Sequence, residues 1–154
     1  MIKLVRVDHR LLHGQVIFSW TKQLGVNHII VADNKVPNDP MNKMALSIAK
    51  PAEAKLDVVP IGEVASIVEK EKDDLYMILV KGPQEALELT DVLEEIREIN
   101  FGGVAKKADS KPYGKAVYLN ENELEATHKL IDKGIEIFVQ QVPSSAIEHV
   151  NFGN

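Results

Sequence analysis

Short apolar runs alternate with longer amphipathic segments along almost the whole chain, and that alternation restricts its fold more than any other feature. Ile2–Val7, His28–Ala32, Leu56–Pro60, Leu75–Lys81, Arg97–Phe101, Lys115–Leu119 and Ile135–Gln141 read as seven strands. Gly14–Leu24, Pro40–Lys50, Glu63–Lys72, Gln84–Ile96 and Glu121–Lys133 read as helices, with Ser144–His149 as a short terminal one. In the first helix Val16, Phe18, Trp20 and Leu24 supply apolar bulk before Gly25, and in the second Met41, Met44, Ala45 and Ile48 recur at helical spacing. Strand and helix in turn predict an α/β, Rossmann-like fold: one open, mostly parallel seven-stranded sheet with helices on both faces. No helix separates the runs 97–101 and 115–119, so one antiparallel strand near an edge is expected there.

The chain has 154 residues, enough for a single domain, 1–154, with a core of its own. It has no cysteine, which excludes disulfides, thiolate nucleophiles and cysteine-held zinc. Its net charge of -5 lacks the basic excess of a nucleic-acid binder. No window approaches the roughly 18 apolar residues that span a bilayer, and Met1 leads straight into a strand without a signal-peptide pattern. The expected setting is the cytoplasm.

In open α/β sheets ligands bind beyond the carboxyl ends of the strands. The first such loop carries the most chemistry: Asp8, His9, Arg10 and His13 lie within six residues, and Gly14 and Gln15 open a helix. The first amides of a helix lack internal partners, and the macrodipole there is positive, so that end suits an anion. Arg10 adds a planar cation whose fork fits phosphate oxygens. A neutral imidazole is nucleophilic, which makes His13 a candidate phosphoryl acceptor beside an anion cradle. Asp8 could fix an imidazole tautomer, hold Arg10, or simply cap the loop. His9 and His13 stand four apart, as a metal pair would on one helical face, but the helix begins only after them. No metal or cofactor is expected.

The stretch "VRVDHRLLHGQVIFSW" closely resembles the signature of the IIB components of mannose/fructose/sorbose-type sugar phosphotransferase systems, on Asp8, Arg10, Leu11, Leu12, His13, Gly14, Gln15, Val16 and Trp20. "VADNKVPND", "LVKGP", "NFGG" and "FVQQVP" resemble further family segments, so the likeness covers nearly the whole chain. It implies that His13 is phosphorylated at Nδ1, with Arg10 supporting transfer. From their places at the strand and helix ends, Asp8, Gly14, Gln15, Lys81, Gly102 and Gly103 are expected around the phosphoryl group. The resemblance also implies a seven-stranded sheet. The phosphoryl group would come from a histidine of a IIA protein and go to a sugar held by membrane IIC/IID components, with the chain at the transporter's periphery; self-association fits such subunits.

One departure stands out. Family members commonly place a Met-His pair after Asn-x-Gly-Gly, where this chain has Val104 and Ala105 followed by Lys106 and Lys107. Those lysines either reach the phosphoryl group or an acidic partner, or are solvated loop residues. Asp33 reads as a loop cap. His28, His128 and His149 have no evident chemical partner, and Trp20 and Phe18 read as core. Two other functions compete. A histidine phosphatase would have arginine directly before its histidine, where this chain has Leu12. A non-catalytic anion-binding module could use the same fold.

Overall fold

Val5, Val7, Ile30, Ile78, Ile99 and Phe101 face one way across neighbouring strands, while Leu4, Ile29, Val31, Met77 and Leu79 face the other. This period-two division between two buried faces comes from strands that are apolar throughout, and it makes the sheet the middle layer of three. A computed structural model describes residues 1–153. Its elements in chain order are β1 (Ile2–Asp8), α1 (Gly14–Leu24), β2 (His28–Ala32), α2 (Pro40–Ala49), β3 (Lys55–Val59), α3 (Val64–Lys70), β4 (Tyr76–Val80), α4 (Pro83–Val92), β5 (Glu98–Gly103), β6 (Lys111–Pro112), β7 (Tyr118–Leu119), α5 (Glu121–Asp132) and β8 (Glu136–Val139).

The main sheet runs β3-β2-β4-β1-β5-β8, and all its pairs are parallel. Helices α1 and α2 cover one face through Ile17, Trp20 and Leu46. Helices α3, α4 and α5 cover the other through Val64, Ala86, Leu89 and Leu130. The α/β class and the two-sided cover are as the sequence predicts, but the strand count differs. The main sheet has six strands, because the run 115–119 supplies only β7, which pairs antiparallel with β6. A single parallel bridge, Val104 to Val117, ties that ribbon to the end of β5.

Two local expectations are corrected, the terminal helix and the place of Phe18. Residues Ser144–His149 form no helix; a turn closed by Ser145 and an antiparallel bridge from Val139 to Glu148 fold the chain back on β8. Phe18 points outward, since α1 buries Ile17, Trp20 and Thr21. The recurring Met41, Met44 and Ile48 of α2 also face solvent, and Leu46 is that helix's only fully buried side chain. Helical spacing shows that a stripe exists, not that something covers it.

The amino ends of the strands are fastened by a polar clasp. His28 is buried at the start of β2, with Nε2 2.6 Å from Asp57 Oδ2 and Nδ1 2.9 Å from Asp74 Oδ2. Lys55, at the start of β3, donates to Asp74 and Glu71. These hydrogen bonds, from Asp74 first, raise the Lys55 ammonium above its ordinary range.

Candidate functional site

Strand β1 is central, between β4 and β5. It leads into α1 on one face, whereas β4 leads to α4 and the ribbon after β5 to α5 on the other. The loop after β1 therefore stands where the connections part, the position where open α/β sheets hold ligands.

The loop is built by anchoring one side and freeing the other. Leu11 and Leu12 are buried in the α1-side core. Leu11 adopts a φ of 58°, a left-handed conformation that costs a leucine about 1–3 kcal/mol and persists because the surroundings hold it. Its amide donates to the Asp8 carbonyl, and the His9 amide to the Gly103 carbonyl. Arg10 points outward with its side chain 53% exposed. His13 is the residue before α1, with extended backbone and no side-chain bond capping the helix. Its ring keeps 19% exposure, so solvent reaches it. Gly14 begins the helix at a φ of 40°, which favours glycine, and no acidic residue occupies the first turn. Gln15 is exposed in that turn.

The centre of the site is Asp8, which is fully buried. Its Oδ2 is 2.7 Å from His13 Nε2 and accepts hydrogen bonds from Arg6 Nη2 at 3.1 Å and Nε at 3.3 Å. Its Oδ1 accepts from the Arg10 amide at 3.0 Å, with Arg10 Nε 3.7 Å away. Burial alone would push this carboxyl up. The hydrogen bonds from His13 and the Arg10 amide, with the charge of Arg6, outweigh it and hold the group below its ordinary value. An ionised carboxylate only accepts, so His13 Nε2 carries the proton and Nδ1 keeps its lone pair.

Arg6 was hidden in the sequence inside an apolar run. It is buried on the α1 side of β1 and donates from Nη1 to Asn100 Oδ1 at 2.6 Å and to the Gln140 carbonyl at 3.2 Å. Its guanidinium lies 5.8 Å from the Trp20 ring centre, and Trp20 Nε1 donates to the Gln141 carbonyl. Gly102 makes room for it: a Cβ there would fall inside the guanidinium. Burial, the largest influence, lowers the Arg6 guanidinium from its ordinary range against the pull of Asp8. The available signal was a charged residue amid apolar ones, two positions before Asp8 and therefore on the same face.

The other candidates separate. Gly103 pairs with Asp8 across the strands and adjoins the His9 ring. Lys81 is exposed beyond β4, next to Val80, which pairs with Val7; no hydrogen bond joins it to His13, Asp8 or Arg10 among the described residues. Lys107 is taken up locally by Glu123 and the Ala105 carbonyl, and Lys106 lies over Tyr118. Asp33 caps its own loop by accepting from the Lys35 and Val36 amides. His128 meets the Phe152 carbonyl.

The open α/β sheet and the imidazole beside a helix start place the chain in a general class of phosphoryl-transferring proteins. Residues 2–152 match the family described as PTS system sorbose subfamily IIB component, and the chain belongs to that family. It is 28% identical over 149 residues to the fructose-specific EIIB component of Bacillus subtilis (strain 168), covering 96% of this chain and 91% of that one. It is 32% identical over 144 residues to the mannose-specific EIIAB component of Escherichia coli (strain K12), covering 92% of this chain but 45% of that one. The crystal structure of the IIBSor domain of the sorbose permease from Klebsiella pneumoniae superposes with a TM-score of 0.90 at 28% identity, covering 96% of this chain and 92% of that one. No helix among the described residues is long and apolar enough to cross a membrane.

Proposed function

We propose that residues 1–154 form one IIB domain that carries a phosphoryl group on His13. The carrying observation is the 2.7 Å contact between His13 Nε2 and Asp8 Oδ2, which leaves Nδ1 as the nitrogen with a free lone pair. In the first transfer the Nδ1 lone pair forms a bond to phosphorus. The phosphorus–nitrogen bond to a histidine of a phosphorylated IIA protein breaks, and its electron pair returns to that histidine. In the second, a sugar hydroxyl oxygen bonds to the same phosphorus, its proton passes to water, and the pair of the breaking bond returns to Nδ1. Arg10 and the free amides of Gly14 and Gln15 balance the negative charge during both steps. Lys81 and the Gly102–Gly103 backbone line the approach.

Support for the IIA partner comes from the EIIAB relative, of which this chain matches 45%. The sugar would be held by membrane IIC/IID components, with this chain on the cytoplasmic side. A shallow imidazole suits the task, because donor and acceptor must reach the same atom in turn.

The test is incubation with a phosphorylated IIA protein. The expected product is an acid-labile, base-stable phosphate on this chain that His13→Ala abolishes. Labelling that survives His13→Ala, or mere hydrolysis of phosphate esters by wild type, would overturn the proposal.

A further inference from the structure

We infer that Arg6 is a positioning residue for transfer at His13: a buried cation that cancels the charge of Asp8 while leaving Asp8 free to hold the imidazole. The inference rests on His13 being the phosphoryl acceptor, and it assigns a task to a side chain that reaches neither phosphate nor solvent.

The first argument is cost. Arg6 is 1% exposed on the sheet face that also buries Leu4, Ile29 and Trp20. An ion pair at such a place is commonly no more stable than apolar residues of the same volume. Stability alone therefore gives little reason for a guanidinium in the central strand.

The second is geometry. Arg6 sends two donors to the same Asp8 oxygen that meets His13 Nε2. Asn100 and the Gln140 carbonyl take Nη1, Trp20 lies alongside, and Gly102 vacates the remaining space. The guanidinium is fixed from β5, from the end of β8 and from α1, so the carboxylate it grips is fixed too.

The third is charge. An uncompensated Asp8 would set a negative group against an incoming phosphoryl group and would strengthen the hold of the Asp8–His13 pair on a further proton. That proton stops transfer wherever it settles. On the ring it occupies Nδ1. On Asp8 it is donated to Nε2, and the ring's own proton moves to Nδ1. With Arg6 in place the buried pair is neutral. The titratable groups facing Asp8 are Arg6, Arg10 and His13, with His9 beside Gly103; Asn100, the Gln140 carbonyl and Trp20, from the other packed elements, do not titrate.

The experiment uses phosphoramidate as donor, which removes protein docking from the readout: the Nδ1–phosphorus bond forms and ammonia leaves. Labelling rates between pH 5 and 9 are measured for wild type, Arg6→Met, Arg6→Lys and Gly102→Ala, with thermal melts alongside. In Arg6→Met and Gly102→Ala the acid fall-off of the rate should move up by about one pH unit or more. Arg6→Lys should keep it near wild type. A fall-off that stays put in the folded variants, or a rate lowered equally at every pH, overturns the inference and reduces Arg6 to a structural role. If Arg6→Met does not fold, Gly102→Ala and Arg6→Lys decide by the same criterion. If wild type is not labelled at His13 at all, the underlying reading fails and the inference with it.

Discussion

His13 and Asp8 meet through a single hydrogen bond, 2.7 Å from Nε2 to Oδ2, and that bond gives the two ring nitrogens different tasks. Nε2 is committed to the protein, and Nδ1 is the nitrogen proposed to carry the phosphoryl group. Phosphoryl transfer asks mostly for position and compensating charge. A ring fixed at one nitrogen, beside an exposed guanidinium and open helix amides, meets both demands.

Asp8→Asn should be costly twice. Removing the charge leaves Arg6 buried without its counter-ion, a loss of about 3–5 kcal/mol readable by urea denaturation. The amide also no longer imposes the Nε2 proton, and labelling of His13 should slow by about 100-fold or more. Unchanged labelling would separate Asp8 from the mechanism.

Stability should fall on acidification for the same reason. The Asp8 carboxyl lies below its ordinary value of 3.8 in the folded chain. Its contribution is therefore complete above that value and is lost as pH falls through the lower folded one. Denaturation midpoints between pH 2 and 6 should show this decline, and Asp8→Asn should flatten it.

Arg10→Ala should do the reverse of a core mutation. Its side chain is half exposed and only 3.7 Å from Asp8 Oδ1, so its loss should change stability by less than about 1 kcal/mol. Transfer from a phosphorylated IIA protein should slow by about 100-fold. Equal rates would remove Arg10 from the site.

His28→Ala should lower the melting temperature by several degrees, because it leaves Asp57 and Asp74 facing a cavity. Labelling at His13 should match wild type. Slowed labelling would show that the two ends of the sheet communicate.

The first loop was legible because its chemistry is local: Asp8, Arg10, His13 and Gly14 lie close together, and strand-to-helix punctuation marks their place. Arg6 was not, because its meaning depends on Asn100 and Gln140, 94 and 134 residues away. The His28 clasp escaped for the same reason, since its partners arrive from β3 and from the turn between α3 and β4. The outward stripe of α2 and the missing helix at 144–149 show a further limit. Periodicity records which residues share a side, but which side is covered depends on neighbours brought by the fold.

The His28 clasp grips the strands where they begin, and the Asp8 relay sits where they end. About 17 Å of β2 alone spans that interval. Fastening and the proposed chemistry thus draw on separate sets of residues, and natural drift can retune the durability of this protein through Asp57, Glu71 or Lys55 without trespassing on the end where His13 sits.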